Sequence, residues 1–366
     1  MNQLSQLGLL RFTGADANTF LQGQVSNDTR PLSGGTPVLA AYSTPQGRVV
    51  AVLRLLPHST GILALLPREL AQSTLERLRK YVMRSKVKIE DVSETFAVIG
   101  LRRDAVPITA DLPIPDSTHP YLERNGIGVA PVEHDSERLW VVGEASVLTT
   151  AGLSLTTRLP LAAGARPTVE AAPGAVTQAA DAAAAAADNA WRLADIRAGL
   201  PQVYAATQEQ FVAQMLNLDL IDGISFTKGC YTGQEIIART QHLGRIKRRL
   251  FRIGLPEGGT FAVGQSLQLA DGRSARLTEV ARTDNGYEAL AVLTLEAATV
   301  DATASDPASG TVSPGTDSAI TAITATGAIT ATGAASNAAG IANTATESPA
   351  AGATAITELA LPYPLR

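Results

Sequence analysis

The only cysteine of the 366-residue chain lies in the stretch Lys228-Gly229-Cys230-Tyr231-Thr232-Gly233-Gln234-Glu235. Glycines on both sides of Cys230 let the backbone come close to a partner. Thr232 and Glu235 have the spacing of a capping box, which predicts a helix that opens at Thr232. The positive end of that helix and the nearby Lys228 favour an accessible, reactive thiol at Cys230. The alternative is a buried lone cysteine that packs as a small apolar side chain.

Three kinds of chemistry are open to an accessible thiol here: a nucleophile, a metal ligand or a redox group. A nucleophile usually needs a neighbouring base, and His242 is the only histidine close in sequence. Residues 230 and 242 are not at helical spacing, so their pairing is not predicted. One cysteine and scattered histidines do not supply the three or four ligands of a zinc site. We therefore expect no metal held by this chain alone, although a cluster shared with a partner stays open.

A basic segment follows the cysteine stretch. Its members are Arg239, Arg245, Lys247, Arg248, Arg249 and Arg252. This segment could be a solvated face at a domain junction. It could equally bind an anion, such as a carboxylate or phosphate tail or RNA, because the rest of the chain is acidic.

Trp191, Asn27 and Asp28 are further candidate site residues. Trp191 could be a core residue or a platform for a planar heterocycle. Asn27 and Asp28 lie in a polar turn that follows a predicted helix, where they could cap that helix or hydrogen-bond to a ring amide.

Composition excludes several classes of protein. The net charge of −4 argues against a general nucleic-acid coat, which needs a large basic surface. A single cysteine cannot form an internal disulfide, so nothing indicates an oxidising compartment. The N-terminus lacks the pattern of a signal peptide, and no stretch is long and apolar enough to span a membrane. A cytoplasmic protein is the expectation.

Hydrophobic periodicity predicts an α+β fold with helices on antiparallel sheets. Strands are predicted at residues 38–42, 49–56, 62–66, 96–102 and 139–142, and a helix after Pro67. Thr207-Gln208-Glu209-Gln210 predicts another helix by its capping-box form. Short strands with glycine turns from Leu250 onward predict a small β-barrel or sandwich.

Two segments have a biased composition. Residues 163–190 are rich in Ala and Pro, and their alanine run is expected to extend the helix of Trp191. Residues 299–355 consist mostly of Ala, Thr, Ser and Gly, which predicts disorder. Because residues 356–365 alternate like a strand, this tract is predicted to be a long hairpin loop with both ends in one sheet.

Several motifs together resemble one family. The eight-residue stretch around Cys230 resembles the signature of the YgfZ family of folate-binding proteins. The supporting matches are Gly14-Ala15-Asp16, the segment from Phe20 to Asp28, Trp191 with Ile196-Arg197-Ala198-Gly199-Leu200-Pro201, and Leu361-Pro362-Tyr363. The resemblance covers nearly the whole chain outside the two biased segments.

The resemblance implies the fold of the glycine-cleavage T-protein, an aminomethyltransferase. Residues 1–244 would form the folate-binding α+β region around a central pocket, and residues 245–366 a C-terminal β-barrel. The family binds tetrahydrofolate and supports iron–sulfur enzymes, including the radical enzyme that methylthiolates tRNA. Cys230 and Lys228 are then expected to carry the chemistry. The expected folate contacts are Trp191, Asn27, Asp28, Tyr231, Gln234, Glu235 and Arg239.

The chain departs from the T-protein pattern at two sites. The acidic residue that holds the pterin in the T-protein is replaced by what looks like Arg197. No counterpart of the T-protein's catalytic aspartate follows the strand at residues 62–66. We therefore expect an auxiliary folate-binding protein with no independent classical activity. The alternative is a folate-dependent aminomethyl- or methyltransferase. The sequence leaves direct contact with tRNA undetermined.

Overall fold

The structure, a computed structural model, describes residues 2–107, 111–153, 174–269, 271–295 and 356–365. It contains three five-stranded antiparallel sheets. The mixture of helices and antiparallel sheets confirms the predicted α+β class. Residues 299–355, which are predicted to be disordered, lie outside the described residues. The first part of the Ala/Pro-rich segment lies outside them too.

The first sheet has the strand order β3-β4-β5-β2-β6. Its strands are β2 (Leu7–Thr13), β3 (Val38–Ser43), β4 (Val49–His58), β5 (Gly61–Pro67) and β6 (Lys88–Asp91). Runs of Val, Leu and Ala form β3 to β5, and the turn from Thr44 to Gly47 joins β3 and β4. Helix α1 (Ala17–Gln22) follows β2, and helix α2 (Arg68–Arg79) begins directly after Pro67.

The second sheet has the order β1-β7-β10-β9-β8. Its strands are β1 (Asn2–Gln3), β7 (Phe96–Arg102), β8 (Leu122–Arg124), β9 (Ile127–Val132) and β10 (Asp135–Glu144). Helix α3 (Ala145–Thr150) follows β10, and the long helix α4 (Gly174–Arg197) contains both the alanine run and Trp191. The alanine run therefore extends the Trp191 helix, as predicted.

The third sheet has the order β12-β13-β14-β11-β15. Its strands are β11 (Arg248–Leu255), β12 (Ser266–Gln268), β13 (Ser274–Thr283), β14 (Gly286–Thr294) and β15 (Thr357–Leu359). Among the described residues the sheet is open, with β12 and β15 at its edges, rather than a closed barrel. Both β14 and β15 pair with β11, on opposite sides. The two ends of the biased tract are thus in one sheet, as predicted, but they are not hairpin partners.

One hydrophobic core connects all three sheets. Val98 of β7 and Leu290 and Val292 of β14 belong to it, together with Trp191 and most of the first sheet. Their immediate neighbours along the strands face the other way, into two smaller cores. Three sheets thus enclose one centre, while the predicted division into residues 1–244 and 245–366 stays a prediction.

The helix predicted to open at Thr207 is wrong. Two short 3₁₀ turns occur instead, Ala205–Thr207 and Ala213–Leu216. The backbone between them bonds to the start of β4, because Glu209 N donates to Val49 O and Val49 N donates to Phe211 O. These sheet-like bonds take the backbone groups that a helix would have used.

Candidate functional site

The loop that carries Cys230 runs from Gly223 to Gly233 and presents the cysteine at the surface. The polar turn near Ser26 holds the loop in place. Ser26 Oγ donates to Gly223 O over 2.6 Å, and Ser225 N donates to Ser26 O over 3.0 Å. Because Thr232 N also donates to Gly23 O, both ends of the loop are fixed. The accessible thiol predicted from the sequence is confirmed in its exposure.

Lys228 points inward and fastens the middle of this loop. Its Nζ donates to Val25 O over 2.8 Å and to Asn27 O over 2.6 Å, and lies 5.0 Å from the centre of the Tyr231 ring. Burial disfavours the charged amine and lowers the pKa of Lys228 to about 8. The amine is therefore engaged by backbone carbonyls two residues from Cys230 and fixes the loop, while a part for Lys228 in the chemistry stays a prediction.

Asn27 and Asp28 are also engaged by the protein itself. The Asn27 amide donates to Leu39 O and Asp222 O, while its Oδ1 accepts from Asp28 N. The Asp28 carboxylate accepts from Arg30 and Gln22, and the hydrogen bonds from Arg30 hold its pKa well below the usual range. Both residues brace the turn beneath the Cys230 loop.

The helix predicted after Cys230 is present as α5 (Gln234–His242), with its N-cap one residue after Thr232. Neither Thr232 nor Glu235 caps it. Gly233 takes the N-cap position with a φ of 83°, and Gln234 Oε1 accepts from Tyr231 N over 3.1 Å. A left-handed residue here needs glycine, and a Cβ on Gly233 would meet Thr44 O at 2.6 Å. The β3–β4 turn therefore packs against the start of α5.

Among the motif residues, Tyr231 is buried whereas Glu235 and Arg239 project into solvent. Arg249 and Arg252 of the predicted basic segment are also structural. Arg249 is buried in a two-pronged ion pair with Asp219, and Arg252 pairs with Glu288. The exposed members of the segment are Arg239, Arg245, Lys247 and Arg248.

Trp191 lies elsewhere, at the centre of the molecule. It is 6 % exposed, packs 5.1 Å from the ring of Trp140, and lies under the guanidinium of Arg138 at 4.7 Å. Gly100 makes this position possible, since a Cβ there would meet the indole at 2.4 Å. Within the described chain, no hydrogen bond, ion pair or ring contact joins Trp191 to the Cys230 loop.

A small cavity opens beside Trp191, with a free volume of about 20 Å³. Four of the residues that line it each have a buried polar atom with no hydrogen-bond partner in the described part of the chain. These atoms are Gln6 Oε1, Trp140 Nε1, Trp191 Nε1 and Glu279 Oε2. Such orphaned atoms are uncommon in folded proteins, because each costs about 1–3 kcal/mol. The presence of four such residues around one cavity marks it as a candidate ligand site.

Two carboxyl groups and a phenol complete this cavity. Burial, reinforced by the neighbouring Asp195, raises the pKa of Glu279 to about 8, and Tyr204 Oη donates to Glu279 Oε1 over 2.9 Å. Burial also raises the pKa of Asp195, whose Oδ1 accepts from Arg138 over 2.7 Å. Glu279 is therefore mostly a neutral carboxylic acid at pH 7, able to donate a hydrogen bond as well as accept one.

No metal site or membrane span stands out in the described residues. None of their groups of His, Cys, Asp and Glu is arranged to hold a metal ion. The helices in the same part of the chain are too short or too polar to cross a membrane.

Comparison with known proteins identifies the family. The chain is 30% identical over 251 residues to the tRNA-modifying protein YgfZ of Colwellia psychrerythraea, which covers 68% of this chain and 69% of that protein. Its identity to the YgfZ of Hamiltonella defensa is 30% over 280 residues, with 76% of each chain covered. The chain belongs to the YgfZ family. No protein-family profile matches it.

The fold of the present chain is similar to that of aminomethyltransferase T of the glycine cleavage system from Bartonella henselae. The TM-score is 0.50 at 12% identity, over 80% of this chain and 77% of that one. The predicted T-protein-like fold is therefore confirmed.

The cavity contains residues that sequence reasoning missed in this YgfZ chain. Asp195 supplies an acid that is 14% exposed one turn after Trp191, whereas Arg197, expected at the acidic position, turns outward to pair with Glu288. The spacing of four residues between Trp191 and Asp195 could have revealed a shared helix face. Glu279 comes from a distant strand and left no such local signal.

Proposed function

We propose that this protein binds tetrahydrofolate in the cavity beside Trp191 and supports tRNA modification through the exposed thiol of Cys230. Its clients would be iron–sulfur proteins or a radical tRNA-modifying enzyme, bound transiently in the cytoplasm. Its relatives are named tRNA-modifying proteins, which supports the second half of this proposal.

The observation that carries the folate half is that four residues lining one cavity each have a buried polar atom without a partner among the described residues. A pterin is a planar heterocycle with both donors and acceptors along its edge. Two indole N–H donors, one amide oxygen and one carboxyl oxygen can pair with such an edge, which would recover the cost of leaving them unsatisfied. The residues that line the cavity therefore have the hydrogen-bonding groups that a pterin ring needs.

The free volume sets a condition on binding. About 20 Å³ holds roughly one water molecule, so side chains must move to admit a ring. Arg192 lines the cavity and is only partly buried, which makes it a suitable gate. Trp191 and Trp140 would then provide the apolar faces against which a planar ring packs.

Cys230 would act apart from this cavity. The loop presents the thiol outward on a backbone fixed at both ends, as a group offered to a partner needs to be. Without a base beside it among the described contacts, Cys230 is better suited to redox or ligand chemistry than to a self-contained transfer reaction.

Equilibrium dialysis with tetrahydrofolate tests the folate half. The wild-type chain should bind, Trp191→Leu should lose most of that affinity, and Tyr81→Leu, which removes an exposed aromatic ring outside the cavity, should bind normally. If the wild-type chain does not bind tetrahydrofolate, the protein is a scaffold that takes no part in folate chemistry.

The second candidate is a folate-dependent aminomethyl- or methyltransferase. The T-protein-like fold and the two carboxyl groups in the cavity favour it. A turnover assay with an aminomethyl donor decides between the two. Formation of methylene-tetrahydrofolate at a rate that does not depend on Cys230 would favour the transferase.

A further inference from the structure

Two segments of this acidic chain are strongly basic and contain no acid. Residues 236–256 include six Lys or Arg, and residues 77–89 include another six. Both segments contain Lys and Arg side chains that pair with no other group of the described residues. Seven exposed side chains form no hydrogen bond or ion pair within the described part of the chain: Lys80, Arg84, Lys86, Arg239, Arg245, Lys247 and Arg248.

The fold brings the two segments to the same turn. Thr44 and Pro45 of the β3–β4 turn line one cleft with Lys80 and Tyr81, at the end of α2. The other side of that turn packs on the start of α5, because a Cβ on Gly47 would meet Ile236 Cβ at 2.8 Å. The basic segments therefore flank one short turn, although about 150 residues separate them in sequence.

Exposed apolar groups accompany the cations in both segments. Tyr81 is 42% exposed and Met83 is 88% exposed in the first. Leu243 is 86% exposed at the end of α5, where the exposed Phe226 contacts the ring of His242 at 6.0 Å between centres. Phe226 belongs to the Cys230 loop, so this surface continues to the thiol.

We propose that these two segments form an RNA-binding surface, which contacts the phosphates and the unpaired bases of tRNA. Free cations on an otherwise acidic protein are the electrostatic mark of a phosphate backbone. The rings of Tyr81, Phe226 and His242 offer faces on which unpaired bases stack. RNA bound there lies beside Cys230. This inference rests on the tRNA-related role proposed above and adds a direct contact to it.

Fluorescence anisotropy of a labelled, unmodified tRNA transcript, measured with the full chain between 50 and 200 mM KCl, tests the surface. Two triple variants each remove three free cations: Lys80→Gln with Arg84→Gln and Lys86→Gln, and Arg245→Gln with Lys247→Gln and Arg248→Gln. Each should weaken binding roughly 10-fold or more near 100 mM salt and lower the salt slope by about 2 to 3.

The matched control removes three exposed arginines that already pair with carboxylates: Arg68→Gln, Arg102→Gln and Arg124→Gln. It causes the same change in net charge and should bind with little loss. Thermal unfolding of all three variants checks that they fold. Phe226→Ala should weaken binding to a single-stranded loop roughly 5-fold or more without changing the salt slope.

Equal binding by the control and the two triple variants would overturn the proposal, as would a loss confined to one basic segment. Binding to anionic phosphatidylglycerol vesicles but not to the transcript would also overturn it and would assign the surface to a membrane. Because these assays use neither folate nor a client enzyme, their failure leaves the folate and thiol proposals standing.

Discussion

The side-chain nitrogen of Lys228 donates a hydrogen bond of 2.6 Å to the backbone carbonyl of Asn27. Together with the bond to Val25 O, it joins two segments about 200 residues apart in the chain. The lysine of the cysteine motif is thereby an anchor for the loop that presents Cys230. A substitution of Lys228 that leaves Cys230 in place can measure how much this anchor stabilises the protein.

Lys228→Met keeps the length of the side chain and removes both bonds. Two backbone carbonyls lose a partner, so we expect the free energy of unfolding to fall by about 1–3 kcal/mol in urea titrations. Lys247→Met, which removes an exposed amine with no described partner, should stay within about 0.5 kcal/mol of wild type. Equal stabilities for the two variants would show that Lys228 does not anchor the loop.

Gly100→Ala tests the position of Trp191. The added Cβ would lie 2.4 Å from the indole, so the ring must move. We expect a loss of about 1–3 kcal/mol of stability from overpacking, a changed tryptophan emission spectrum and weaker binding of tetrahydrofolate.

Gly34→Ala is the matched control, since a Cβ at Gly34 meets nothing within 4 Å. If Gly100→Ala folds and binds tetrahydrofolate normally, the folate site does not include Trp191.

Glu279 gives the protein a defined pH dependence. Its pKa is about 8 in the folded chain against an ordinary value of 4.5, so the folded state holds a proton that the unfolded state releases between these values. Stability should therefore fall as the pH rises from about 5 to 8, by at most about 1.4 kcal/mol per pH unit.

Glu279→Gln keeps a neutral, hydrogen-bonding side chain and should flatten this dependence when unfolding is measured across the same pH range. Glu235→Gln, a change of an exposed acid, should leave the wild-type slope in place. Identical slopes in wild type and Glu279→Gln would mean that Glu279 is ionised in the folded protein.

Local patterns predicted much of the fold. The apolar runs of β3, β4, β5 and β7 were assigned from their sequence, because β-propensity and bounding turns act over a few residues. The capping box at Thr207 predicted a helix where two 3₁₀ turns occur, whereas the one at Thr232 predicted α5 and misplaced only its N-cap. At Thr207 the backbone bonds to β4, and at Thr232 the contact with the β3–β4 turn requires Gly233 at the N-cap.

The candidate site was predicted in part. The exposure of Cys230 and the family followed from one motif. The inward course of Lys228, the place of Glu279 beside the cavity of Trp191, and the meeting of two basic segments depend on contacts between distant parts of the chain. Such contacts leave no periodic signal in one sequence.

The proposed function depends most on the thiol of Cys230. The level of methylthiolated tRNA in cells tests directly whether this thiol is needed. A strain that lacks its own family member would express the wild-type chain, Cys230→Ala or Cys230→Ser at matched protein levels. Because Cys230 is exposed, both variants should fold. We expect the wild-type chain to restore methylthiolation and both variants to fail. Full restoration by Cys230→Ala would contradict the account.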